Sequence, residues 1–115
     1  MSLSEIEIKR IEKELDAFLI KHRPPVHIRN EVDLCYRVTG QTVDVFEIRS
    51  GFRNPSEKIE IPVARAKYVK TQNYWLVYWH KSDMKWHKYP PMPNVKSIKS
   101  FVELVSEDKH ACFFG

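Results

Sequence analysis

The sequence predicts an α+β fold: an N-terminal helix, an antiparallel meander sheet of about five strands and a C-terminal helix, with the helices on one face. Three observations carry this. Apolar residues recur at helical spacing near the N-terminus, several short runs then alternate apolar and polar residues between turn signals, and helical spacing returns after a cluster of prolines. At 115 residues the chain is long enough for one domain, 1–115, that buries roughly two-thirds of its unfolded surface. The expected divisions are a helix over 5–22, a sheet over 31–89, a helix over 95–107 and a packed tail over 109–115.

Ser4 followed by Glu7 forms a capping box, and Leu3 with Ile8 occupies the staple positions, so the first helix starts near Glu5. Ile8, Ile11, Leu15, Phe18 and Leu19 make its apolar stripe, and His22-Arg23-Pro24-Pro25 stops it. Val32, Leu34, Tyr36 and Val38 alternate with polar residues up to Gly40-Gln41, which predicts a hairpin with a two-residue turn. Its register sets Thr39 against Thr42, Val38 against Val43 and Arg37 against Asp44, the last an opposite-charge cross-strand pair. After a turn-rich stretch at 50–56, strands are expected over Ile61–Lys70, Tyr74–His80 and Lys85–Tyr89, with turns at Gln72-Asn73 and Lys81–Met84. Pro90, Pro91 and Pro93 end the sheet. Ile98, Phe101, Val102 and Val105 mark the second helix, and residues 111–114 are candidates for a last strand.

Cys35 and Cys112 lie far apart without a C-x-x-C spacing, which fits reduced thiols better than a disulfide framework. The N-terminal segment is polar and then amphipathic, with no apolar run of signal or membrane length, so a cytoplasmic protein without membrane attachment is expected. Net charge is +4, but residues 51–100 carry ten Lys/Arg against three Asp/Glu. Arg65 to Tyr89 also gather all three tryptophans and four of the five tyrosines. A basic segment that is also the aromatic one makes a polyanion the first partner to consider.

Several short segments together have a family look: His22-Arg23-Pro24-Pro25, Phe46-Glu47-Ile48-Arg49, Pro55-Ser56-Glu57-Lys58, Trp86-His87-Lys88-Tyr89-Pro90 and the ending Cys112-Phe113-Phe114-Gly115. From His22 to Gly115 the chain resembles the family of short bacterial proteins catalogued as domain of unknown function number 3024. That resemblance implies no activity, cofactor or site residue, so the functional reading stands on the residues themselves.

Strand parity sorts the aromatic segment. Trp75, Val77 and Trp79 share one face, and a four-residue turn at Lys81–Met84 sets Trp86 opposite Trp79, so the tryptophans are expected together in the core. The other face then presents Arg65, Lys67, Tyr78, His80, Lys85 and His87, cations for phosphate and planar rings for single-stranded bases. The bland alternative is a solvated sheet face. Zinc is a lesser possibility, through His80, His87, His110 and Cys112, whose spacing matches no strong zinc pattern. Asp33 with Glu47-Ile48-Arg49 faintly resembles a metal-dependent nuclease signature, but the hairpin register points Asp33 and Glu47 to opposite faces. No nucleophile elbow or phosphate-binding glycine loop is present, and a His110–Cys112 dyad competes with burial of Cys112 beside Phe113 and Phe114.

The leading expectation is a non-catalytic nucleic-acid-binding accessory protein, with single-stranded RNA or DNA as partner and no cofactor. The rivals are a dimeric protein-interaction or regulatory module and, third, a small metal-dependent enzyme or nuclease. Self-association or a protein partner is attractive because the first hairpin places apolar residues on both faces, Tyr36 and Val45 on one and Phe46 and Ile48 on the other, and two helices cover one face only.

Overall fold

The computed structural model describes residues 3–51, 53–54, 56–108 and 113. The chain runs α1 (Glu5–His22), a 3₁₀ turn (Val26–Ile28), β1 (Val32–Thr39), β2 (Thr42–Ser50), β3 (Lys58–Val69), β4 (Tyr74–His80), β5 (Trp86–Lys88), β6 (Asn94–Val95) and α2 (Ile98–Glu107). The strands form one antiparallel sheet in the order β1-β2-β3-β4-β5. β6 shares the outer edge of β4 with β5: β5 pairs with residues 78–80 and β6 with residues 75–76. This is the α+β meander with flanking helices that the sequence predicts.

Both ends of the helix–sheet–helix order have local causes. Ser4 and Glu7 exchange the two capping-box hydrogen bonds at 3.2 Å, and the Arg23 N–H closes α1 by donating to the Leu19 carbonyl before Pro24 forbids another turn. Ser97 caps α2, its Oγ accepting from the Ser100 N–H at 3.1 Å. The second helix therefore begins at Ile98 rather than at 95, because Asn94 and Val95 are taken up in pairing with β4. This two-residue strand is not among the expected elements, and β5 proper ends at Lys88, although the Tyr89 N–H still donates to the Val77 carbonyl of β4 at 3.0 Å. Of the tail 109–115, only Phe113 lies among the described residues. It is buried, its ring 4.7 Å from that of Tyr89, and its N–H donates to Asp108 Oδ1 at 3.0 Å.

The first hairpin keeps the predicted register, Thr39↔Thr42, Val38↔Val43 and Arg37↔Asp44, with Gly40 supplying the positive φ of 58° that its tight turn requires. Between β2 and β3 the register shifts at Val45/Phe46: Val45 opposes Ala64 and Phe46 opposes Pro62, leaving Val63 as an inserted residue. A bulge at this point lets a central strand contain Pro62, which has no N–H to donate.

Both helices pack on the same face. Ile11, Leu15 and Phe18 of α1 and Ile98, Phe101 and Val105 of α2 bury against Leu34, Val43, Val45, Ala64, Ala66, Trp75 and Val77. Ala64 and Ala66 are fully buried, and small side chains there let α2 approach β3 closely. His22 ties the helices together through a 3.1 Å hydrogen bond with Ser106. Among the described residues the opposite sheet face carries no helix.

Candidate functional site

The β4–β5 loop decides which side chains reach the uncovered face. The Lys81 N–H donates to the Lys85 carbonyl at 3.1 Å and the Met84 N–H to the Lys81 carbonyl at 3.0 Å. These bonds close a three-residue loop, Ser82 to Met84, with Met84 in the left-handed region at φ 66°. Asp83 completes it by accepting from the Lys85 N–H and bonding His87 Nε2 at 2.8 Å. The resulting register is His80↔Trp86, Trp79↔His87 and Tyr78↔Lys88.

A four-residue turn would have set Trp86 against Trp79, and the one-residue difference turns every β5 side chain over. Trp86 and Lys88 thus lie on the open face. His87 lies on the helix-side face, and Lys85, at the loop end, shares its parity. The expected single set of three tryptophans is accordingly corrected: Trp75 and Trp79 face the helices and Trp86 does not. Of the six expected binding residues, Arg65, Lys67, Tyr78 and His80 come together on the open face, while Lys85 and His87 are excluded from it. A leftward signal for the shorter loop was weak because Met84 occupies the position where glycine usually marks it.

The open face is built from registered rows. Arg37, Asp44, Arg65, Tyr78 and Lys88 follow one another across five strands, and Thr39, Thr42, Lys67 and Leu76 form the next row. The Arg65 guanidinium lies 4.5 Å from the centre of the Trp86 ring and is held by Asp44, with Nε to Oδ1 at 2.5 Å. Arg37 repeats this arrangement over Phe46 at 4.6 Å, held by Glu60 at 2.8 Å. Each arginine therefore rests on a ring and is fixed by a carboxylate. His80 meets Trp86 edge-on, ring centres 5.1 Å apart.

Two expectations change here. Arg37 and Asp44 are opposite in register, but their ion pairs run to Glu60 and Arg65 instead. The apolar content of this face, which favoured a covering partner, is covered in part from within the chain, because Arg37 lies over Phe46 and leaves it 7% exposed. Lys67 and Lys88 form no ion pair among the described residues and so contribute to the net positive charge of the face.

Residues 3–115 match the family model described as Domain of unknown function (DUF3024). The chain belongs to this family. The match takes in α1 as well as the segments from His22 onward. No curated protein and no solved structure matches the chain.

In this DUF3024 chain the other candidate chemistries separate in space. His80 and His87, paired in the zinc alternative, lie on opposite faces, and His110 and Cys112 fall outside the described residues. Among the described residues no three His, Cys, Asp or Glu side chains gather as a metal site. Asp33 and Glu47 also point to opposite faces: Asp33 pairs with Arg23 through two 2.8 Å hydrogen bonds, and Glu47 with Arg49 at 3.2 Å. The Arg23 hydrogen bond holds the Asp33 carboxyl below the usual carboxylate range. Burial, then the nearby Asp33 charge, pushes the Cys35 thiol up, which disfavours the thiolate needed of a nucleophile. Tyr36, half-buried and donating to Asp16 Oδ1 at 2.9 Å, is pushed up to about 12 by partial desolvation and then by that hydrogen bond. It is a fixed donor across the α1–sheet contact rather than an acid–base group near neutrality.

Proposed function

We propose that this protein binds single-stranded RNA or DNA, without catalysis, through the sheet face that the helices leave uncovered. The observation that carries the reading is the in-register row Arg65, Tyr78 and Lys88, flanked by Lys67 and by Trp86 beneath Arg65. Lys67 and Lys88 supply charge for phosphates, and neither has an internal anion to give up first. Tyr78 supplies a ring for base stacking, and the outer plane of Arg65 is a second stacking surface, already oriented by Trp86 and Asp44. An antiparallel sheet face with one side covered by helices is a scaffold rigid enough to hold such groups in place. No described helix is long and apolar enough to cross a membrane.

Fluorescence anisotropy with short labelled single strands tests the reading. Micromolar binding that weakens steeply with added salt is expected. Absence of binding at low salt, or binding indifferent to salt, would leave the face as a solvated surface and favour an interaction module.

A further inference from the structure

Between the two stacked arginines the open face holds a cleft of 110 Å³, lined by Arg37, Asp44, Phe46, Glu60, Arg65 and Trp86. Its volume equals that of about four liquid waters at ~30 Å³ each, the scale of one flat heterocycle and too small for a whole nucleotide. Cleft and partners are prearranged. Arg65 spends Nε and Nη2 on Asp44, and Arg37 spends Nη1 and Nη2 on Glu60, so each guanidinium keeps unused N–H donors in a fixed plane. Each carboxylate likewise keeps lone pairs beyond those its arginine engages.

We propose that this cleft is a base-reading subsite selective for guanine, an inference that rests on the single-strand reading of the face. Guanine presents two adjacent acceptors, O6 and N7, on one edge and two adjacent donors, N1–H and the N2 amino group, on the next. Arginine donors match the first pair, the commonest specific contact to that base, and an aspartate or glutamate matches the second. Adenine and cytosine set an amino donor beside an acceptor, and uracil or thymine sets one N–H between two carbonyls, so none of them offers both pairs. The stacked arginines need no reordering to engage the base, which removes part of the entropy that a mobile side chain would lose. The phosphates on either side then fall to Lys67 and Lys88, the unpaired cations of the same face.

The test uses the parent protein and a short oligothymidine carrying one central guanine, adenine, cytosine or thymine, compared by anisotropy at fixed salt. The guanine strand is expected to bind about tenfold tighter or better, the discrimination of one good bidentate contact. Asp44→Asn is expected to abolish that preference while binding of all four strands stays salt-sensitive. Salt-sensitive binding of all four strands within about twofold of one another would overturn the guanine subsite and leave the single-strand reading standing. Retention of the full preference in both Asp44→Asn and Glu60→Gln would overturn it as well. Failure of every strand to bind would overturn the reading of the face itself.

Discussion

The Arg65 guanidinium lies over the Trp86 indole, 4.5 Å from its centre, although the two residues belong to strands separated by β4. The contact bridges that strand: Arg65 is opposite Tyr78 and Trp86 is opposite His80, two residues along β4 on the same face. It exists because a three-residue loop replaces the four-residue turn that simple counting suggests. The same loop that removes Lys85 and His87 from the open face supplies Trp86 and Lys88 to it. Asp44 completes the group from the other side, so one arginine fixes β2, β3 and β5 relative to one another.

If the open face binds a single strand, its charge and ring contributions separate in a salt titration. Lys67→Ala with Lys88→Ala should leave folding nearly intact and reduce the slope of log affinity against log salt by about one to two units. Tyr78→Ala should weaken binding by roughly 1–3 kcal/mol with little change in slope, since a neutral ring releases no counterions. Lys85→Ala serves as the control, because its parity sets it off the face. Parental binding in both the Lys67/Lys88 double variant and Tyr78→Ala would rule out this surface.

The tryptophans should differ sharply in their contributions to stability. Trp75 is buried under the helices, next to the Tyr68 ring at 5.1 Å, so Trp75→Ala should cost about 3–5 kcal/mol through lost burial and a cavity. Trp86 is only half-buried on the open face, and Trp86→Ala should cost well under half as much because solvent fills the vacated space. Urea melts compare the two directly. Equal losses would place Trp86 in the core and argue for the four-residue turn.

The helices and the first hairpin were legible because their causes are local. A capping box, an apolar stripe and a glycine turn each lie within a few consecutive residues, and Thr39↔Thr42 follows from turn length alone. The β3 bulge was not legible, since Pro62 hints at an irregular strand without saying which neighbour absorbs it. β6 was hidden by its two-residue length among prolines. The candidate site was half legible: Arg65, Lys67, Tyr78 and His80 share a face by alternation within β3 and β4, whereas Lys85 and His87 depended on a loop length that a methionine in the left-handed region disguised. The arginine–ring stacks were beyond reach, because Arg37–Phe46 and Arg65–Trp86 are diagonal contacts set by register and side-chain reach together.

Met84 offers a direct check of that loop. A non-glycine residue in the left-handed region costs about 1–2 kcal/mol, and Met84 is exposed and buries little in return. Glycine removes this strain but adds about 0.4–1 kcal/mol of unfolded-chain entropy, so Met84→Gly should stabilise by up to about 1.5 kcal/mol. The denaturant midpoint should rise with an unchanged m-value. A clear loss of stability would show that position 84 does not need a positive φ.

At the opposite edge of the sheet, β1 has no strand on its outer side among the described residues, and Arg23 and Asp33 guard that side. Arg23, just past the end of α1, grips both Asp33 oxygens at 2.8 Å, and Asp33 Oδ1 also accepts from the Leu34 N–H at 2.8 Å, taking a donor that a neighbouring strand would otherwise seek. A charged pair folded over an edge blunts its use as a template for another chain. Arg23→Ala and Asp33→Asn should therefore associate more strongly with rising concentration than the parent chain does, as read by sedimentation velocity. The pH dependence follows from the sign of the shift. Because the Arg23 hydrogen bond lowers the Asp33 pKa, the pair's contribution is complete above the ordinary aspartate value of about 3.9 and is lost as pH falls through the lower folded value. Association of the parent chain should accordingly rise only as pH falls through that lowered folded value, and this rise should be reduced in Arg23→Ala, whose edge is already open at neutral pH. If both variants sediment like the parent across this range, the pair does not guard the edge.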